Sequence, residues 1–95
     1  MDNPDVVIID VRKKKSWWRS TTKIYGAVRE DPSNVSQWSD KYSKTSTLIL
    51  YCDWKKERTS ARVAQILIER GFNSVYVLRG GWKAWRKAGY IIEKK

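Results

Sequence analysis

Apolar residues gather in this chain as short uninterrupted runs between charged turns, and the runs read as strands of a buried sheet. Val6-Val7-Ile8-Ile9 is bounded by Asp5 and Asp10, the form of a strand covered on both faces in a parallel sheet. Thr47 to Tyr51 and Ser74 to Leu78 are further runs of this kind, and Ile24-Tyr25-Gly26-Ala27-Val28 predicts a short strand entered through a tight turn at Gly26. Between these runs the apolar period lengthens to that of a helix. After Thr59-Ser60, either of which can cap the helix, Val63, Ala64, Leu67 and Ile68 fill one face. Arg62, Gln65 and Glu69 line the opposite face, and Gly71 stands where a glycine ends a helix.

A weaker helix is predicted from Ser33 to Tyr42, with Val35, Trp38 and Tyr42 on one face, and a last one from about Trp82 to Lys87, anchored to the sheet by Trp82 and Trp85. No period is visible from Lys13 to Thr22. The adjacent Trp17 and Trp18 cannot point the same way on a regular element, so one packs inward while the other covers a cleft or meets solvent. Strand alternating with helix predicts an α/β fold with a mostly parallel sheet. The 95 residues make one domain, because a second core would leave each half too short to bury enough surface.

Composition removes several classes of chemistry. One cysteine forbids an internal disulfide, and the absence of histidine excludes a histidine metal site or a histidine-based triad, so no metal and no cofactor is expected. No apolar run approaches the roughly 18 residues of a membrane span, and Met1 to Asp5 lacks a signal peptide's basic start and apolar middle. A cytoplasmic location is the expectation. The formal net charge of +10 biases the surface toward anions: nucleic acid, acidic lipid headgroups or a small anionic substrate. Lys13-Lys14-Lys15 and Glu93-Lys94-Lys95 read as solvated turns and tail. Lys15 and Arg19 beside the paired tryptophans also suit stacking on nucleic-acid bases, with core or lid packing the stronger expectation.

The candidate chemistry lies where the strand ending at Tyr51 runs through Cys52 into a basic turn and a helix. Helix N-terminal N–H groups and the positive end of the helix dipole favour an anion or a thiolate there. Lys55, Lys56 and Arg58 add to that field, so Cys52 is expected to be a nucleophilic thiolate near neutral pH. Five residues separate Cys52 from Arg58, and a loop of this form can wrap a tetrahedral oxyanion in backbone amides while the arginine forks two of its oxygens. Asp10 and Arg12 come off the C-terminal end of the first strand, where ligands gather in open α/β sheets. They are candidates for the rim of the site, or for an ion pair that orients the loop. Gly80-Gly81 ends another strand, at a point where backbone can approach the site closely.

The chain resembles the rhodanese-like domains from about Pro4 to Tyr90. The resemblance is carried by Val7-Ile8-Ile9-Asp10-Val11-Arg12, by Ile24-Tyr25-Gly26-Ala27-Val28, by Leu50-Tyr51-Cys52 with Ser60-Ala61, and by Val77-Leu78-Arg79-Gly80-Gly81-Trp82-Lys83-Ala84-Trp85, in the family's order. It implies a single rhodanese-like domain over residues 1–95, with a central sheet of about four to five strands flanked by helices. It also implies a sulfurtransferase in which Cys52 takes the outer sulfur of thiosulfate or of a persulfide donor, holds it as a Cys52 persulfide, and passes it to a thiol, cyanide or a partner protein. Asp53, Trp54, Lys55, Lys56, Glu57, Arg58 and Thr59, with Asp10 and Arg12, are the expected substrate-binding residues. The implied partners are a small anionic sulfur donor and a protein donor or acceptor of sulfur, with nucleic acid a weaker expectation.

The loop itself departs from the sulfurtransferase pattern. Arginine usually follows the cysteine by five positions; here Glu57 occupies that position and Arg58 comes one later. The run Cys52 to Arg58 is similar to the loop of the dual-specificity phosphatases that share the rhodanese fold, and in length to that of their arsenate-reducing relatives. Oxyanion chemistry, as a phosphatase or an arsenate reductase, is therefore the alternative enzymatic reading. A non-catalytic binding module is the third.

Overall fold

The computed structural model describes residues 5–53 and 58–95. The chain order is β1 (Val6–Asp10), α1 (Lys14–Arg19), β2 (Thr22–Ile24), β3 (Val28–Arg29), α2 (Val35–Trp38) running into a 3-10 turn at Ser39–Lys41, β4 (Thr47–Tyr51), α3 (Arg58–Glu69), β5 (Ser74–Val77), α4 (Gly81–Ala88) and β6 (Ile92–Lys94). Four strands form a parallel sheet in the order β3-β1-β4-β5, and β2 with β6 forms a separate antiparallel ribbon.

The continuous apolar strands behave as their composition requires. Ile9, Leu48 and Leu50 are completely buried and meet Val63 and Leu67 of α3, with Val35, Trp38 and Phe72 completing the core on that face. Each such side chain contributes on the order of 1.5–3 kcal/mol by leaving water. A smaller cluster of Ile24, Ala27, Tyr51 and Trp82 lies apart from it. Gly71, at φ +98, ends α3, and the N–H of Phe72 bonds back to the carbonyl of Leu67 at 3.1 Å, the pairing that satisfies a helix's last carbonyls.

The topology explains where a site belongs. From β1 the chain goes to β3 on one side, then crosses to β4 on the other, so the order of the strands reverses between β1 and β4. Ligands bind outside the C-terminal ends of the strands at such a switch point. The register Ile8↔Ile49 and Asp10↔Tyr51 sets Asp10 beside Tyr51, with Cys52 the next residue along.

Four expectations are corrected. Ile24 to Val28 is not one strand: β2 ends at Ile24, the chain turns at Tyr25-Gly26, and β3 begins at Val28 in the other sheet. Gly26, at φ +80, takes a conformation no β-strand uses. Lys14–Arg19, without visible period, forms a helix that buries no side chain completely, which is why no apolar stripe marks it. The C-terminal residues are not a solvated tail, since Thr22, Lys23 and Ile24 pair with Lys94, Glu93 and Ile92. Ile68 lies exposed rather than on the buried face of α3.

Candidate active site

Three segments converge on Cys52. β4 delivers it at the sheet's C-terminal edge, where it is only 6% exposed. α3 places the hydroxyl of Ser60 3.2 Å from its Sγ. Ser60 is buried in the first turn of the helix, so the sulfur lies close to a helix N-terminus, where negative charge is favoured.

The turn between β5 and α4 fixes the backbone on the other side. The N–H groups of Trp82 and Lys83 donate to the carbonyls of Cys52 and Asp53 at 2.8 and 3.0 Å. These are first-turn donors of α4, which have no partner inside their own helix. The approach requires glycine: a Cβ on Gly81 would lie 2.4 Å from the Cys52 carbonyl oxygen and 2.8 Å from that of Asp53, and its φ is +54. The close backbone approach expected at Gly80-Gly81 is thus present as a pair of loop-fixing hydrogen bonds.

Beneath the cysteine lies a buried polar network. Asp10 and Arg12 are both 0% exposed and pair through Arg12 Nη2 at 2.7 Å. Arg12 Nε bonds the same carboxylate at 2.9 Å, and Nη2 also donates to the carbonyl of Thr22 at 2.9 Å. The Tyr51 hydroxyl donates to Asp10 at 2.6 Å and accepts from the N–H of Ile24 at 3.1 Å. Burial, reinforced by the Asp10 carboxylate, pushes the Tyr51 phenol well above its ordinary pKa and keeps it a donor. The Arg12 guanidinium lies 4.5 Å from the Trp82 ring centroid and 5.3 Å from that of Trp17. Those rings face a cation whose Nη1 has no hydrogen-bond partner among the described residues.

The predicted site residues therefore fall into groups. Cys52 meets Ser60; Asp53 accepts a hydrogen bond from the hydroxyl of Ser16 on α1; Asp10 and Arg12 hold each other. Thr59 is buried in the first turn of α3, and Arg58 is exposed at its first residue, so the helix has begun before either expected cap. Trp54, Lys55, Lys56 and Glu57 lie outside the described residues. Ser16 and Ser60 were not among the candidates. Ser60 carried a signal, its place in the Cys52…Ser60-Ala61 pattern, but as a cap rather than as the thiol's neighbour. Ser16 carried none.

A buried cysteine at the switch point of a parallel sheet, between a helix start and a double-glycine turn, agrees with a family match that covers most of the chain. Residues 1–88 match the family described as rhodanese-like domain. This chain belongs to that family. The domain is 34% identical over 82 residues, 86% of its length and 73% of the relative's, to thiosulfate sulfurtransferase GlpE of Coxiella burnetii. It is 29% identical over 93 residues, 98% of its length and 82% of the relative's, to thiosulfate sulfurtransferase GlpE of Glaesserella parasuis. Among solved structures, the rhodanese-like domain of the Alr3790 protein from Anabaena sp. superposes with a TM-score of 0.79 at 25% identity, covering 93% of this chain and 98% of that one. A protein of unknown function from Rhodopseudomonas palustris, described as a possible tyrosine phosphatase, superposes with a TM-score of 0.78 at 29% identity over 94% of this chain and 71% of that one. No helix among the described residues is long and apolar enough to cross a membrane.

Proposed function

We propose that this rhodanese-like domain is a thiosulfate or persulfide sulfurtransferase that works through a Cys52 persulfide. The observation that carries the reading is the position of Sγ, 3.2 Å from the Ser60 hydroxyl in the first turn of α3, in a chain similar to named thiosulfate sulfurtransferases. The Cys52 thiolate attacks the outer sulfur of thiosulfate. A new S–S bond forms on Cys52, and the bond to the sulfonate sulfur breaks, its electron pair leaving on sulfite. An acceptor thiolate or cyanide then attacks the sulfane sulfur, the Cys52 S–S bond breaks, and the thiolate returns with that pair. The product is an acceptor persulfide or thiocyanate.

In this reading Asp53, Arg58 and Thr59, together with Trp54, Lys55, Lys56 and Glu57, are the residues that bind the anionic sulfur donor. The α4 N–H groups fix the backbone at Cys52 and Asp53 by bonding their carbonyls. The Asp10–Arg12–Tyr51 network acts at one remove, holding the sheet edge from which Cys52 projects. A reducing compartment such as the cytoplasm suits the lone thiol.

Purified protein given thiosulfate should gain one sulfur atom by intact-mass measurement, lose it in Cys52→Ser, and yield thiocyanate on addition of cyanide. A folded protein that takes up no sulfur and forms no thiocyanate overturns the reading. A second reading, oxyanion chemistry at the same cysteine, is favoured by the five residues between Cys52 and Arg58 and by the likeness to the possible tyrosine phosphatase. Hydrolysis of an aryl phosphate, with vanadate protecting Cys52 from alkylation, would distinguish it.

A further inference from the structure

The Lys13-Lys14-Lys15 run does not stand alone on the surface. Lys13, Lys14, Lys15 and Arg19 around α1 share the walls of one cleft of about 900 Å³ with Arg29 at the end of β3 and Arg62 on α3. None of the six forms an ion pair among the described residues. Asp31 contributes the carboxylate of that wall, and it is turned into its own loop, accepting from the backbone N–H of Ser33 at 2.8 Å and the side-chain amide of Asn34 at 3.0 Å. Arg29 is the exception among the six, offsetting Asp31 electrostatically and donating to the carbonyls of Glu30 and, at 2.9 Å, of Arg12. Gathering the other like charges with so little counter-charge opposes folding through self-repulsion. A polyanion laid in the cleft would relieve that repulsion.

Two further observations point to the kind of polyanion. Trp18 is 72% exposed and follows the cleft residues Lys15 and Lys14 by three and four positions on α1, which places it next to them on the helix surface, at the margin of the cleft rather than in its lining. Trp17 is more fully engaged, with Arg12 and Arg29 each 5.3 Å and Lys95 Nζ 4.2 Å from its ring centroid, whereas Trp18 has Lys95 Nζ at 5.8 Å and most of its surface in solvent. An exposed indole beside a cationic groove is the combination that binds single strands: phosphates follow the charges and a base stacks on the ring. An acidic protein segment would use the cations and leave Trp18 idle. The cleft also reaches the sulfur site, because its lining residue Ser16 donates to Asp53, next to Cys52.

We propose that the α1–β3–α3 cleft is a binding surface for single-stranded nucleic acid, with Lys14, Lys15 and Arg62 on phosphates and Trp18, beside the cleft on α1, stacked on a base. The inference goes beyond sulfur transfer and does not depend on it. The test is fluorescence anisotropy of a labelled single-stranded RNA dodecamer titrated with the full chain at several salt concentrations. Binding should weaken linearly on a log–log plot. Because each phosphate contact to a single strand adds about 0.7 to that slope, the Lys14→Gln/Lys15→Gln double variant should flatten it by about 1.4. Trp18→Ala should weaken binding roughly tenfold with the slope unchanged. Far-ultraviolet circular dichroism of both variants should match the parent, so that a lost fold is not mistaken for a lost site. No binding near physiological salt overturns the proposal. So does a polyglutamate peptide of equal charge that binds as tightly as the RNA while Trp18→Ala has no effect, which would assign the cleft to an acidic protein instead.

Discussion

At the scale of single residues, the site turns on what surrounds one sulfur atom. Cys52 is buried by its strand and meets the Ser60 hydroxyl at 3.2 Å. A hydroxyl can accept from a thiol or donate to a thiolate, and only the second strengthens when the sulfur carries charge, since hydrogen bonds to charged groups contribute about 1.5–3 kcal/mol. Ser60→Ala keeps the small side chain and the helix propensity and removes that donor. If sulfur transfer runs through the thiolate, kcat/KM for thiosulfate should fall about tenfold or more, the equivalent of about 1.4 kcal/mol. Ser60→Thr should recover part of it. Steady-state thiocyanate formation checks the effect, and unchanged rates in Ser60→Ala would reduce Ser60 to packing.

At the scale of elements, the loop is held by the turn that leads from β5 into α4. Gly81→Ala would drive a methyl group against two backbone carbonyls that cannot move without releasing the Cys52 loop. Gly26→Ala is the matched control, because Gly26 also has positive φ, +80, yet a Cβ there meets nothing within 4 Å. The control should lose roughly 1–2 kcal/mol, the cost of a left-handed residue. Gly81→Ala should lose at least about 1–3 kcal/mol more from the overlap, read as the difference between the two midpoints in urea. Equal losses would mean that the turn shifts freely. Legibility divides along the same lines. The strands β1, β4 and β5 and the helix α3 were readable because burial on one or both faces writes a period into the sequence. So was Gly81, because a paired glycine at a strand end has few other uses. α1 buries no side chain completely, so it left no period, and its Ser16–Asp53 contact spans 37 positions. The division of Ile24 to Val28 between two sheets was hidden because β2 takes its partner from the far end of the chain, where Ile92–Lys94 carries too little apolar pattern to announce a strand.

At the scale of the whole molecule, that same pairing closes the chain on itself. β6 lies against β2, the N–H of Lys95 bonds the carbonyl of Thr21 at 3.1 Å, and that of Tyr25 bonds the carbonyl of Ile91 at 3.2 Å. Glu93 fastens the ribbon at its turn, accepting from the N–H of Gly26 at 2.8 Å and pairing with Lys23 at 3.3 Å. The Gly26 hydrogen bond first, then Lys23, holds the Glu93 carboxyl below its ordinary pKa of 4.5. A carboxyl depressed in the folded state contributes stability that is fully present above its unfolded value and is lost as pH falls through the folded one. Glu93→Gln should therefore lower the melting temperature at about pH 7, and the gap from the parent should close below about pH 4 as the parent's own carboxyl takes up a proton. Thermal unfolding followed by circular dichroism across that range reads the gap directly. A gap of constant size would show that Glu93 acts through its shape rather than its charge. A gap that closes would show that the Glu93 charge, through Gly26 and Lys23, holds β6 against β2.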